Sequence, residues 1–130
     1  MGLDLQEIKR FIQWLPGNSA AYQLRDSMIK LLASSPRMSE ISGFTQDEYV
    51  RFVADDVWNI VIPSDRPLLA SAIQRCLQPP YEEECIYRIR QKQQEYAWVH
   101  ARARKIGLLE GYPVILVVFH SASEENVAHA

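Results

Sequence analysis

The residues able to do chemistry are few, and their spacing says as much as their types. Imidazole comes only from His100, His120 and His129. His100 and His120 fall on neighbouring segments of alternating polarity, both on the polar side, so a two-histidine metal site is conceivable. No third ligand stands near them at a recognisable spacing, and the reading adopted is a pair of surface or interface histidines with no metal. No Ser, His and acid set falls in a strand–turn–helix context, and no glycine-rich loop could cradle a phosphate. The chain is therefore expected not to be an enzyme. Cys85 lies on an apolar alternation and reads as a small core residue. Glu82-Glu83-Glu84 opens a strand and reads as a solvated edge that discourages strand addition. Arg88, Arg90, Arg102, Arg104 and Lys105 make a locally basic face. With 16 acidic against 14 basic residues, that face is expected to be balanced by the acidic run and the first helix, so no nucleic-acid partner is expected. Asp65 and Arg88 are expected to pair and hold a helix start to the sheet.

The elements that position these residues can be read from periodicity. The 130 residues, 48% apolar with a net charge of −2, suit one ordered domain. The longest apolar run, 113–119, is strand-sized, so no membrane segment is expected. No secretory signal is visible, and Cys76 and Cys85 make no disulfide framework; the expected location is the cytoplasm. Leu5, Ile8, Ile12 and Leu15, flanked by Phe11 and Trp14, predict an amphipathic helix over 4–15 that Pro16-Gly17 stops. Strands at 20–25 and 29–33 flank the turn pair Asp26-Ser27. A short helical stretch over 36–41 follows, then a capping box, Thr45 with Glu48, opening a helix over 46–52. Leu68, Leu69, Ala72, Ile73, Cys76 and Leu77 predict one face of a longer helix. From residue 81 the period becomes two. Strands are expected to about 90, over 96–106 and over 114–119, with Gly107 and Gly111 bracketing the second turn and the last strand buried on both faces. The expected architecture is α+β: a five-stranded antiparallel sheet with helices on one face and the N-terminal amphipathic helix on the other.

The order of elements resembles a PAS sensory domain. The resemblance is carried by Ile62-Pro63-Ser64-Asp65-Arg66 before the long helix, Tyr87-Arg88-Ile89 on one strand and Tyr96-Ala97-Trp98-Val99 on the next. Gly43-Phe44-Thr45-Gln46-Asp47-Glu48 matches the middle of one subtype, and the likeness runs over roughly 19–121. The segment Lys92-Gln93-Gln94-Glu95 departs from the family's usual Asp-Gly turn, and Ser121-Ala122-Ser123 replaces its usual closing Asp-Ile-Thr. The resemblance implies three parts: a helix over 1–18, the PAS-like domain over 19–121 and a linker over 122–130. It also implies a sensing or dimerising module of a longer, multidomain bacterial signalling protein, linked to an effector such as a diguanylate cyclase or histidine kinase.

A PAS-like fold would place a pocket between its helical middle and the inner face of the sheet. The alternation points Cys85, Tyr87, Ile89, Val99, Ala101, Ala103, Ile115, Val117 and Phe119 inward, and Trp58 is expected beside them. One reading is a cavity for a small apolar or amphipathic ligand, with Tyr87 as the polar handle. The other is that Trp58, Ile62, Leu69 and Ile73 fill the space and the domain is purely structural. The cofactor is unknown. Haem is disfavoured because the long helix has no His, and flavin because the helical Asn-Cys-Arg motif of the family's flavin-binding subset is missing. A small enzyme on a similar fold is a third reading; Cys85 and Tyr87 would be its only inward titratable groups.

Val114, Leu116 and Val118 are expected to point outward, joined by Trp98 and Ile86. Such a strip needs cover. The N-terminal helix is the nearest cover, and its broad face could span two subunits. A homodimer is expected through Ile8, Phe11, Ile12, Leu15, Trp98, Leu116 and Val118.

Overall fold

The computed structural model describes residues 2–122 apart from 16, 55 and 94. Most of the expected linker over 122–130, and with it His129, lies outside the described residues. Among the described residues four helices, α1 (Leu5–Trp14), α2 (Ser39–Ser42), α3 (Gln46–Val53) and α4 (Arg66–Cys76), accompany five strands. The strands are β1 (Asn18–Arg25), β2 (Met28–Ser34), β3 (Glu82–Arg90), β4 (Tyr96–Leu109) and β5 (Tyr112–Ala122). Two single 3₁₀ turns, Val57–Ile60 and Pro63–Asp65, lead into α4. The sheet is antiparallel throughout, in the order β2-β1-β5-β4-β3.

Local sequence explains most boundaries. The Asp4 carboxylate caps α1 by accepting from the Gln6 N–H at 2.9 Å. Thr45 and Glu48 form the full capping box of α3: Thr45 Oγ1 accepts from the Glu48 N–H at 3.1 Å, and Glu48 Oε1 accepts from the Thr45 N–H at 2.9 Å. That backbone N–H, with Lys92 next, holds the Glu48 carboxyl down to about 2. Asp26 turns the β1–β2 hairpin at φ +53°, a left-handed conformation that Asp tolerates.

Three expectations need correction. The stretch expected to be helical over 36–41 begins as a turn, and α2 is confined to Ser39–Ser42. Leu68 does not share the buried face of α4 and is half exposed, because the face is set by Ala72 and Cys76 with Leu69 and Ile73 beside them. Gly107 does not open the second turn. The β4 strand runs through it to Leu109, and the turn tightens to Glu110-Gly111. The reason is distant in sequence: Gly107 sits at a β-bulge with φ +152°, where a Cβ would come within 3.1 Å of Leu3.

The sheet carries apolar clusters on both faces. On the inner face all five strands meet α2, α3, α4 and the 3₁₀ turn Val57–Ile60. On the outer face Ile8 and Ile12 of α1 pack with Ala21 and Val114, and Leu3, Leu15, Leu32 and Leu116 border them. β5 is thus buried from both sides at Val114 and Ile115. Among the described residues no helix is long and apolar enough to cross a membrane.

Candidate functional site

A cavity of about 90 Å³ lies between the inner sheet face and the helical layer. Strand alternation builds its floor. Side chains two apart share a face, so Cys85, Tyr87 and Ile89 on β3 lie beside Val99, Ala101 and Ala103 on β4 and Ile115, Val117 and Phe119 on β5. The two alanines matter because close-packed interiors leave volume only where a side chain stops short. From β1 and α3 the wall receives Tyr22 and Tyr49, and from α4 it receives Leu69, Ile73 and Cys76.

All the inward strand residues expected from the sequence line this cavity, and Trp58 does not. In the 3₁₀ turn Val57–Ile60, residues three apart eclipse one another. Val57 and Ile60 therefore take the wall, and Trp58 packs at the margin of the core. Tyr22 and Tyr49 were not anticipated. The alternation Ala20, Tyr22, Leu24 on β1 and the spacing of Tyr49 and Val53 on α3 are the signals that point to them.

The polar content of the wall is small. Tyr22 and Tyr49, both buried, line the same space, and Tyr49 adds to the cost of ionising Tyr22. The Tyr87 side chain, 6% exposed, is coupled electrostatically to Tyr49 and Cys85 but makes no hydrogen bond to a described residue through its hydroxyl. Burial raises all three phenols. It also pushes the Cys85 thiol up to about 11 and raises Cys76. Both cysteines are free thiols. Glu83 reaches the wall, but Arg75 Nε lies 2.7 Å from its carboxylate and holds its pKa low. At neutral pH the phenols and thiols stay protonated, so the wall offers apolar contact and hydroxyl hydrogen bonds rather than an activated nucleophile.

Outside the cavity, Asp65 and Arg88 pair as expected, with Arg88 Nη2 2.7 Å from Asp65 Oδ1 and Arg88 Nε 2.9 Å from Oδ2. The acidic run answers the basic face across the edge pair of strands. Glu84 lies 3.3 Å from Arg102 and 3.0 Å from His100, and Glu82 lies 3.7 Å from Arg104. His100 and His120 stand opposite one another on β4 and β5, ring centroids 6.5 Å apart. The described residues hold no group of three side chains suited to a metal ion.

The residues expected at a dimer interface divide. Ile8 and Ile12 are buried in the chain's own outer cluster, and Leu15 and Leu116 border it. Phe11 is half exposed, and Trp14 beside it is 87% exposed. Trp98, half-buried, meets the Tyr96 ring edge-on and lies under the Arg88 guanidinium; Val118 is half-buried on β5.

The sequence matches a family model described as PAS fold over residues 31–120, well over half of the chain. The chain belongs to the PAS fold family. This PAS domain is of the sensory, regulatory kind. No curated protein matches it. Solved structures share its fold at low identity. A sensory box histidine kinase/response regulator from Burkholderia thailandensis is 16% identical, with a TM-score of 0.57 over 95% of this chain and 88% of that one. A LOV protein of Rhodobacter sphaeroides is 10% identical, with a TM-score of 0.71 over 97% of this chain and 72% of that one. The PAS-B domain of Drosophila melanogaster Cycle, with bound ethylene glycol, is 16% identical, with a TM-score of 0.64 over 81% and 99% respectively.

Proposed function

We propose that this PAS domain is a non-catalytic regulatory module whose cavity takes a small molecule, and that occupancy biases the packing of the sheet and α1 to control a linked effector. The observation that carries the reading is the open volume itself. Leu69 and Ile73 reach the wall and still leave about 90 Å³. Trp58 and Ile62, the other side chains that could have plugged it, do not line it. The ethylene glycol held by the Drosophila PAS-B domain is a molecule of this scale. Such a switch works only if the ligand binds one packing more tightly than the other.

Two observations speak against a large cofactor. Flavin and haem need roughly 300 Å³ or more, with polar or ligating groups aimed at the ring. The cavity is much smaller, and among the described residues its wall carries no Asn, Gln, Arg, Lys or His. A homodimer would draw on Phe11 and Trp14, the apolar residues of α1 that its own sheet leaves exposed.

Xenon separates a ligand cavity from a purely structural core, because it enters dry apolar space without needing a polar partner. Under xenon pressure the methyl resonances of Val99, Ala101 and Val117 are expected to shift saturably. Shifts confined to surface methyls would assign the domain to the structural, dimerising role.

A further inference from the structure

We infer that the open cleft between α3 and the β3–β4 turn is a second binding site, for a small phosphate monoester on an aromatic body. The Arg66 and Arg90 guanidiniums hold the phosphate, and the Phe44 and Phe52 rings receive the body. The cleft measures about 550 Å³ and shares no lining residue with the cavity, so the inference stands apart from the cavity reading.

One short stretch of backbone places both guanidiniums. Arg90, at the end of β3, donates from Nε to the Asn59 carbonyl at 3.1 Å. Arg66, at the start of α4, donates from Nε to the Val61 carbonyl at 3.3 Å. These carbonyls stand two residues apart, where the 3₁₀ turn Val57–Ile60 ends. With Nε tied down, each fork is held in place while its terminal nitrogens stay uncommitted. Neither side chain pairs with a carboxylate of a described residue. In this they differ from Arg25, Arg37, Arg75, Arg88, Arg102 and Arg104, each of which has an acidic partner.

Charge and shape then select the ligand. Among the described residues the wall carries Arg66, Arg90 and Lys92 against one carboxylate, Glu95. Lys92 is already held by Glu48 at 2.9 Å, which leaves the two guanidiniums to attract an anion. A carboxylate fills one guanidinium fork with its two oxygens; a phosphate monoester presents three oxygens and up to two charges, and engages both forks. On the same wall the half-buried Phe44 and Phe52 stack with ring centroids 5.5 Å apart and offer apolar surface beside the forks. The volume lies in the range of small-molecule sites.

Titration of the full chain, read by NMR of the arginine Nε–H groups at about pH 7.5, where the phosphate is largely dianionic, tests this. Phenyl phosphate is expected to shift the Arg66 and Arg90 signals saturably, and benzyl alcohol to leave them unmoved. Inorganic phosphate, which lacks the ring, and benzoate, which lacks the third oxygen, are each expected to bind about fivefold more weakly. Arg90→Gln is expected to weaken phenyl phosphate about tenfold, and Lys30→Gln, an exposed charge outside the cleft, by less than about twofold. Phe44→Leu should bring phenyl phosphate close to the strength of inorganic phosphate. If phenyl phosphate leaves both arginine signals unmoved, or if Lys30→Gln weakens it as much as Arg90→Gln does, there is no site but only diffuse attraction to surface charge. Benzoate binding as tightly as phenyl phosphate would overturn the choice of phosphate, and inorganic phosphate doing so would overturn the role of the rings. None of these outcomes turns on the xenon result.

Discussion

Arg88 ties three parts of the fold together. Its guanidinium forks onto the Asp65 carboxylate, reaches Ser64 Oγ at 2.8 Å, and lies 5.2 Å from the Tyr96 and Trp98 ring centroids. Its own N–H donates to Asp65 Oδ2 at 2.7 Å. One carboxylate thus holds the start of α4 to the edge strand β3. The Arg88 side chain, followed by its backbone N–H, lowers the Asp65 pKa. Because the folded value lies below the unfolded one, the stabilisation is complete above the ordinary carboxylate range and is lost as pH falls through the folded value. Asp65→Asn is expected to lower Tm by roughly 5 °C at pH 7. The gap between variant and unmodified protein should close as pH falls below the ordinary carboxylate range and through the lowered folded value, where Asp65 is protonated. Melting curves across pH by circular dichroism check both parts; a gap independent of pH would mean that shape, not charge, makes the contact. This pair was legible in the sequence because both residues sit in motifs whose positions on the elements are fixed. That Tyr22 and Tyr49 share one wall was not, since nothing local to β1 or α3 records that the two elements meet there.

At the scale of elements, strands were easier to read than the pieces between them. A period of two assigns a face to every residue, and the cavity residues of β3, β4 and β5 followed from it without tertiary knowledge. A 3₁₀ turn of four residues offers no such repeat, which is why Trp58, expected at the wall, stands at the margin of the core while Val57 and Ile60 line the cavity. Gly107 misled for a different reason: its role depends on Leu3, more than a hundred residues away. The α1 helix shows the limit of an amphipathic pattern. Its stripe declares that a face must be covered, but the structure divides that face between the chain's own sheet and solvent. Ile12 is 1% exposed, so Ile12→Ala is expected to cost about 3 kcal/mol in chemical denaturation. Trp14→Ala is expected to stay within about 0.5 kcal/mol. If α1 pairs two copies, Trp14→Ala should instead weaken the dimer in sedimentation while leaving the folded monomer intact. A large loss of monomer stability in Trp14→Ala would contradict this division of the helix.

For the whole molecule, access to the cavity can be followed through its thiols. With the Cys85 pKa near 11, only about one thiol in a thousand is ionised at pH 8. Cys76 is raised too, and is buried. Labelling by an alkylating reagent is therefore expected to be slow at pH 7 and to climb about tenfold per unit to pH 10. A saturating cavity ligand should slow it further. Rapid modification of Cys85 at pH 7, followed by mass spectrometry, would show a more open site than the one described. The sheet between the two apolar clusters is a single layer of backbone. Ala20 belongs to the cavity side and Ala21 to the α1 side; Ile115 and Val114 divide in the same way. Adjacent residues of a strand cannot move independently, and close-packed neighbours on either side register displacements smaller than a methyl group. The sheet is in this sense a diaphragm: a strand pushed from the cavity must press on α1 through the thickness of one peptide unit, with no intermediary side chain to absorb the stroke.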